Sequence, residues 1–288
     1  MTHLPDYIYR SVRKYSHLYI KPCGWLIVHP TLLLKGARIL GRSFKDRRYL
    51  STLPRSGTVY ITSLLTVACD IADGGTGEYY FADNEWIYNT RILWPSVLSN
   101  FVATLKNGQP IHENFIMIAH HPIQKTDMFR VKSMKVVFTV RNIADQLESW
   151  LLHTFDEVSA QDEFIKQGYV ERTISYFNYW GDFISGPGKT PEKDYVCVKY
   201  EDMLSDPLTN LLRIVRFWDL EIGMSALQSA VDMCTREKME SKIPADLLVS
   251  NKRVSIRDNR GGVFSEENTA YINRAIRDNL RHDFGYKY

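Results

Sequence analysis

The sequence predicts an α/β fold in which a parallel sheet is covered by helices on both faces. Short apolar runs rich in β-branched and aromatic residues recur along the chain, and each reads as a buried strand. Stretches with helical patterning alternate with them, the arrangement that builds a parallel sheet. The 288 residues, 44% of them hydrophobic, supply enough apolar material for a sizeable core. Disorder and a disulfide-stapled miniprotein are excluded.

Taken in order, Tyr49 to Leu53 is the first predicted strand and Thr58 to Cys69 the first helix. Phe115 to Ala119 and Lys135 to Val140 follow as strands, then helices over Ala144 to Phe155 and Gln161 to Phe183. Gly181 to Pro191 is a Gly/Pro-rich break, read as a loop within one domain. Tyr195 to Lys199 is the last strand, followed by helices over Pro207 to Trp218, Ser225 to Arg236 and Glu266 to Leu280. Residues 1–48 read as an N-terminal arm packed on a single domain of residues 49–288. The arm's apolar stretch, Trp25 to Leu34, is interrupted by His29 and Pro30 and is about half the ~20 residues a membrane span needs. Neither a signal peptide nor a transmembrane segment is expected.

Charge and cysteines narrow the function. The 36 Lys and Arg against 33 Asp and Glu leave +3, too little for a non-specific nucleic-acid binder, so any anion is held locally. Cys23, Cys69, Cys197 and Cys234 form no CxxC pair, which suggests neither zinc nor a disulfide framework and points to a reducing, cytoplasmic location. In a parallel sheet, ligands sit beyond the carboxyl ends of the strands. The first such exit is Pro54-Arg55-Ser56-Gly57-Thr58, leading into a helix. It can aim backbone N–H groups, two hydroxyls and a guanidinium at one spot, with the helix dipole behind them. Phosphate or sulfate suits it; the alternative is an ordinary strand-to-helix connection with Ser or Thr as N-cap. The Gly-Lys pair of an ATP- or GTP-binding loop is missing, and a sulfuryl group bound without a metal needs fewer cationic contacts.

These residues resemble the sulfotransferases that use 3′-phosphoadenosine 5′-phosphosulfate, whose first loop reads Pro-Lys-Ser-Gly-Thr-Thr-Trp. Here it reads Pro54-Arg55-Ser56-Gly57-Thr58-Val59-Tyr60. Three further elements follow in the family's order. Arg141-Asn142-Ile143-Ala144-Asp145 with Ser149 is similar to the segment that holds the cofactor's 3′-phosphate. Lys199-Tyr200-Glu201-Asp202 contains a Tyr-Glu-Asp element. Arg257-Asp258-Asn259-Arg260-Gly261-Gly262-Val263-Phe264 is similar to a Gly-rich loop near the family's C-terminus. The resemblance covers roughly residues 49–285.

It implies a P-loop NTPase-like three-layer domain with a central parallel sheet, 3′-phosphoadenosine 5′-phosphosulfate as donor, 3′-phosphoadenosine 5′-phosphate (PAP) as product, and no metal. Arg55, Ser56, Gly57, Thr58 and Val59 would hold the 5′-phosphosulfate. Arg141, Ser149, Arg257, Asp258 and Asn259 would hold the 3′-phosphate end. Tyr60, Tyr200 and Thr235 would contact adenine, although Arg236 follows where the family has Phe. Physical chemistry independently favours Arg141, because a guanidinium pairs with phosphate through two parallel charge-assisted bonds; its alternative is an ion pair with Asp145.

Transfer also needs a base, and His titrates nearest neutral pH. Ala119-His120-His121-Pro122 matches the family's Lys-Thr-His-x-Pro with His120 as the base, or His121 if the alignment slips by one; the family's Lys is Ile118. Arg55 stays charged throughout and would act electrostatically. The implied partner is a small-molecule acceptor presenting a hydroxyl or amine, with no nucleic acid; a homodimer is compatible with the sequence. Between Asp70 and Trp94 lie Asp70, Asp73, Glu78, Asp83 and Glu85 interleaved with aromatics. This suits a cationic or nitrogen-rich acceptor, or else is a solvated acidic loop. A nucleotide kinase or NTPase on the same fold, or a non-catalytic nucleotide-binding relative, are the competing readings.

Overall fold

The computed structural model describes residues 48–78, 81–82, 85–86, 92–93, 116–120, 134–155, 158–241 and 262–288. The strands are β1 (Arg48–Thr52), β2 (Phe81–Ala82), β3 (Glu85–Trp86), β4 (Ile92–Leu93), β5 (Ile116–His120), β6 (Lys135–Val140) and β7 (Tyr195–Lys199). Five of them form one parallel sheet in the order β4-β5-β1-β6-β7, while β2 and β3 pair as a separate antiparallel ribbon. The helices are α1 (Thr58–Ala72), α2 (Ile143–Thr154), α3 (Gln161–Lys166), α4 (Tyr169–Ile184), α5 (Tyr200–Ser205), α6 (Pro207–Phe217), α7 (Met224–Met233), α8 (Arg236–Ser241) and α9 (Glu266–Asn279).

Strand side chains alternate between two cores. Leu50 of β1, Val137 of β6 and Val196 and Val198 of β7 pack under α1, α6 and α7. Tyr49, Val136, Phe138 and Val140 point the other way, under α2, α3, α4 and α9. Strands covered on both faces need apolar residues at both parities, which is why they read as continuous apolar runs. The second core is dense in aromatics: Phe138 stacks on Trp180 with centroids 4.8 Å apart. A pair of this kind adds about 0.5–1.5 kcal/mol beyond its buried area. The three-layer arrangement and the parallel central sheet agree with the predicted fold class.

Register decides where the chemistry gathers. Thr52 pairs with His120, Ser51 with Phe138, and Val140 with Lys199, so β5, β1, β6 and β7 all end at one edge of the sheet. The segments leaving that edge begin at residues 53, 141 and 200 and, for β5, beyond His120.

Several expected boundaries are corrected. Leu53 leaves β1 because its N–H is taken by Ser56 Oγ. The single helix expected over Gln161 to Phe183 divides at Gly168, which adopts a left-handed φ of 74° that glycine tolerates without steric cost. Conversely, Gly181 is helical rather than part of the break, and α4 runs on to Ile184. A side chain at Gly181 would collide with the His282 ring, so glycine there permits close packing of residues 281–286. The helix expected to reach Arg236 stops at Met233, and Thr235 accepts the Met239 N–H on its carbonyl to begin α8. The two-residue strands β2, β3 and β4 are too short to show a period.

The N-terminal arm expected over residues 1–48, with Cys23 and Trp25 to Leu34, lies outside the described residues apart from Arg48, which begins β1. So do His121, Arg257, Asp258 and Asn259. Among the described residues no helix is long and apolar enough to cross a membrane.

Candidate functional site

The exit from β1 is a tight loop closed on itself. Leu53 O accepts hydrogen bonds from Ser56 N (3.1 Å), Ser56 Oγ (2.8 Å) and Thr58 Oγ1 (3.2 Å). Ser56 Oγ also accepts from Leu53 N at 3.0 Å and meets Thr139 Oγ1 of β6 at 2.7 Å. Ser56, expected to face a ligand, is therefore buried and holds the loop to the sheet. Thr58 turns its hydroxyl the same way.

What the loop presents outward is backbone and guanidinium. Gly57 is the N-cap of α1, in a left-handed conformation with no side-chain cap bond, and no acidic residue occupies the first turn. The Ser/Thr N-cap alternative is thereby set aside. The N–H groups of Thr58, Val59 and Tyr60 have no acceptor within the helix, and the dipole adds partial positive charge there. Arg55 also has a left-handed backbone, with φ 67°. For a non-glycine residue that conformation costs of order 1–3 kcal/mol and persists where the surroundings over-determine it. Here α2 and the turn before it do so: Gln146 Nε2 donates to Pro54 O (3.0 Å), Arg141 Nη1 to Arg55 O (3.0 Å), and Arg55 Nε to Ser149 Oγ (2.9 Å).

The exit from β6 supplies Arg141 and the exit from β7 supplies Tyr200. The Arg141 guanidinium lies 4.6 Å from the centre of the Tyr200 ring. A methyl group on Gly57 would stand only 2.5 Å from Tyr200 Cδ2, so the absence of a side chain there lets the ring close over the loop. No ion pair with Asp145 forms. The Arg141 Nε–H is buried without a hydrogen-bond partner. A buried donor left unsatisfied costs about 1–3 kcal/mol, which an anion accepting from it would relieve.

Electrostatics reinforce this placement. Burial raises the Tyr200 pKa, while nearby Arg141, Arg55 and Arg236 each pull it back, so three cations act on one ring. Tyr60 is half-buried beside it, its phenol pushed up to about 12 by burial first and then by Cys234 and Tyr200. Tyr60 is thus neutral at physiological pH and offers a polar tip and a flat face. Thr235 and Arg236 are exposed at the α7–α8 junction. Glu148 anchors the far side: burial raises its pKa, while the hydrogen bond from the Val263 N–H and the charge of Arg141 lower it. Residues 262–264 thus lie near α2, with Phe264 buried and its ring centre 5.9 Å from that of Phe164.

The structure therefore joins Arg55, Gly57, Thr58, Val59, Tyr60, Arg141, Ser149 and Tyr200 in one region. It sets His120 at the end of β5, in register with Thr52. Gln146, Thr139, Glu148 and Arg236 were not anticipated as parts of the site. Arg236 alone left a trace in the sequence, as a cation where the resembled family has an aromatic. Within the acidic stretch, the Asp70 carboxylate accepts the Gly77 N–H at 2.8 Å and so closes the end of α1. Among the described residues, no group of three or more His, Cys, Asp or Glu is placed to hold a metal ion.

Comparison with known proteins agrees with this geometry. A family model described as Sulfotransferase domain matches residues 45–277. Among solved structures, the chain is similar to mouse sulfotransferase SULT7A1 complexed with PAP, with a TM-score of 0.54 and 14% identity over 85% of this chain and 87% of that one. It is also similar to retinol dehydratase in a complex with retinol and PAP, with a TM-score of 0.52 and 16% identity over 89% and 87% of the two chains. No curated protein sequence matches the chain.

Proposed function

The chain belongs to the sulfotransferase domain family, and on that premise we propose that it moves a sulfuryl group from 3′-phosphoadenosine 5′-phosphosulfate to a hydroxyl or amine of a small-molecule acceptor. The observation that carries the donor assignment is the buried, unpartnered Nε–H of Arg141, set beside a loop whose first-turn N–H groups are also open. Open first-turn N–H groups, a buried guanidinium donor and an aromatic ring in one region suit a nucleotide that carries more than one phosphate. PAP in the two similar structures supports the same reading. Because one of those proteins is named a dehydratase, the fold leaves the acceptor chemistry to the site.

When bound, the donor supplies a sulfuryl group joined to a 5′-phosphate that departs as sulfur is attacked. Arg55 and the N–H groups at the start of α1 stabilise the charge that develops on that phosphate, a preorganised arrangement of the oxyanion-hole kind. Arg141 and Ser149, with Arg257, would hold the 3′-phosphate, and Tyr60 and Tyr200 would contact adenine. His120 takes the acceptor's proton. Glu78, Asp83 and Glu85 favour a cationic or nitrogen-rich acceptor through charge pairing.

A thermal-shift titration tests the donor site without an acceptor, since a ligand that binds only the folded state raises its stability. PAP should stabilise the protein and ATP with magnesium should not; the reverse would replace this reading with a nucleotide kinase. Arg55 tests the electrostatic role. Arg55→Ala should lower turnover by about 10²–10³-fold, as loss of an oxyanion-hole donor does. Arg55→Lys should retain a substantial part, and equal inactivation of the two variants, measured as kcat, would overturn the assignment.

A further inference from the structure

The N-terminus of α2 is treated differently from that of α1, and Glu201 and residues 284–288 take part in the difference. At α1 the first-turn N–H groups are open. At α2 the protein itself takes up donors at this end: the N–H of the N-cap Asn142 donates to Glu201 Oε1 (3.2 Å), and in the first turn the Ile143 N–H donates to the Tyr288 hydroxyl (3.3 Å) and the Asp145 N–H to Asn142 Oδ1 (3.3 Å). Tyr286 donates its hydroxyl to the other oxygen of Glu201 at 2.5 Å and lies 3.5 Å from Val140 O. One carboxylate thus ties the turn between β6 and α2 to a segment 85 residues away in sequence from Glu201. That turn is the one that carries Arg141.

The segment is itself well anchored. Gly285 N donates to Asp283 Oδ1 (2.7 Å) and Tyr286 N to Asp283 O (3.0 Å), forming a closed turn. Phe284 packs edge-on against Phe138 and Phe177, with centroids 5.7 and 5.4 Å away, and Lys199 Nζ sits 4.9 Å from the centre of the Tyr286 ring. Burial, then the bond to Glu201, raises the Tyr286 pKa, which keeps its hydroxyl a donor.

With the Asn142, Ile143 and Asp145 amides committed to protein acceptors, an anion at this turn depends mainly on the Arg141 side chain. Arg141 is aimed only as well as its backbone is held. We propose that Glu201 and Tyr286 are positioning residues for Arg141, clamping the β6–α2 turn so that the guanidinium is preorganised for the 3′-phosphate. The proposal rests on the nucleotide reading above. Its signature is selective: the clamp governs the 3′-phosphate and not the rest of the nucleotide.

Calorimetric titration of PAP and of adenosine 5′-phosphate, on the wild type and on Tyr286→Phe, Glu201→Gln and Glu201→Ala, tests it. Tyr286→Phe keeps the ring and removes one charge-assisted bond. It should weaken PAP by about 5–10-fold, with adenosine 5′-phosphate within about twofold of wild type. Glu201→Gln, whose amide oxygen still accepts from Asn142, should lose less than Glu201→Ala. Equal weakening of both nucleotides, or a lower melting temperature with unchanged PAP affinity, would overturn the clamp and leave these residues a purely structural role. A wild type with no preference for PAP over adenosine 5′-phosphate would instead overturn the nucleotide reading, and the clamp with it.

Discussion

Replacing Arg141 with Ala should abolish most of the stabilisation by PAP. The side chain offers charge-assisted hydrogen bonds, each contributing about 1.5–3 kcal/mol when the partner is ionised, so the dissociation constant should rise about 100-fold or more. At a PAP concentration of 100 times the wild-type Kd, the stabilisation would fall from about 2.7 to about 0.4 kcal/mol. Without nucleotide the variant loses the bond to Arg55 O and the contact with Tyr200 but is also relieved of the unpartnered Nε–H, so its melting temperature should move by no more than about 2–4 °C, the shift for roughly 1 kcal/mol. These two effects are separable: the second is read without ligand, the first as the increment on adding it. An unchanged increment would place the second phosphate elsewhere and end the assignment of the β6–α2 turn.

Replacing His120 with Ala should lower turnover by about 10²–10⁴-fold, the usual contribution of a positioned general base, while leaving PAP affinity unchanged. The expectation follows from register. His120 ends β5 directly beside Thr52, so it lies at the same edge of the sheet as the first loop but on the opposite side of β1 from Arg141. A residue in that place can serve the acceptor without holding the 3′-phosphate. Single-turnover rates for His120→Ala and His121→Ala, each with PAP titration as a control, settle which histidine acts. Loss only in His121→Ala would move the base one residue along, and loss in neither would remove histidine from the proton transfer.

Much of the scaffold is legible in the order of residues. β6 and β7 fall at Lys135–Val140 and Tyr195–Lys199 as expected, because a buried strand with both faces covered leaves an unbroken apolar run. The first loop was legible because only a few residue types turn a strand sharply into a helix. Errors came where local pattern and tertiary contact compete. Gly168 breaks a continuous helical pattern, and Gly181 sits inside a helix because His282 packs against it. The Ser56 hydroxyl closes the loop and meets Thr139, a partner 83 residues away that no local pattern reveals.

The alternation of strands and helices, the two cores they imply and the anion-suited loop at Pro54 to Thr58 all follow from the order of residues alone. These depend on periodicity and on which backbone conformations each residue tolerates, properties that act over a few neighbouring positions. Which polar groups meet depends instead on how the layers pack. Arg55 finds Ser149 across 94 residues, Arg141 finds the Arg55 carbonyl across 86, and Glu201 joins Asn142 to Tyr286. Hydrogen-bonding capacity is written in residue type, but a donor with several chemically equal acceptors chooses among them by where the packed layers place it, and that choice is made by the fold as a whole.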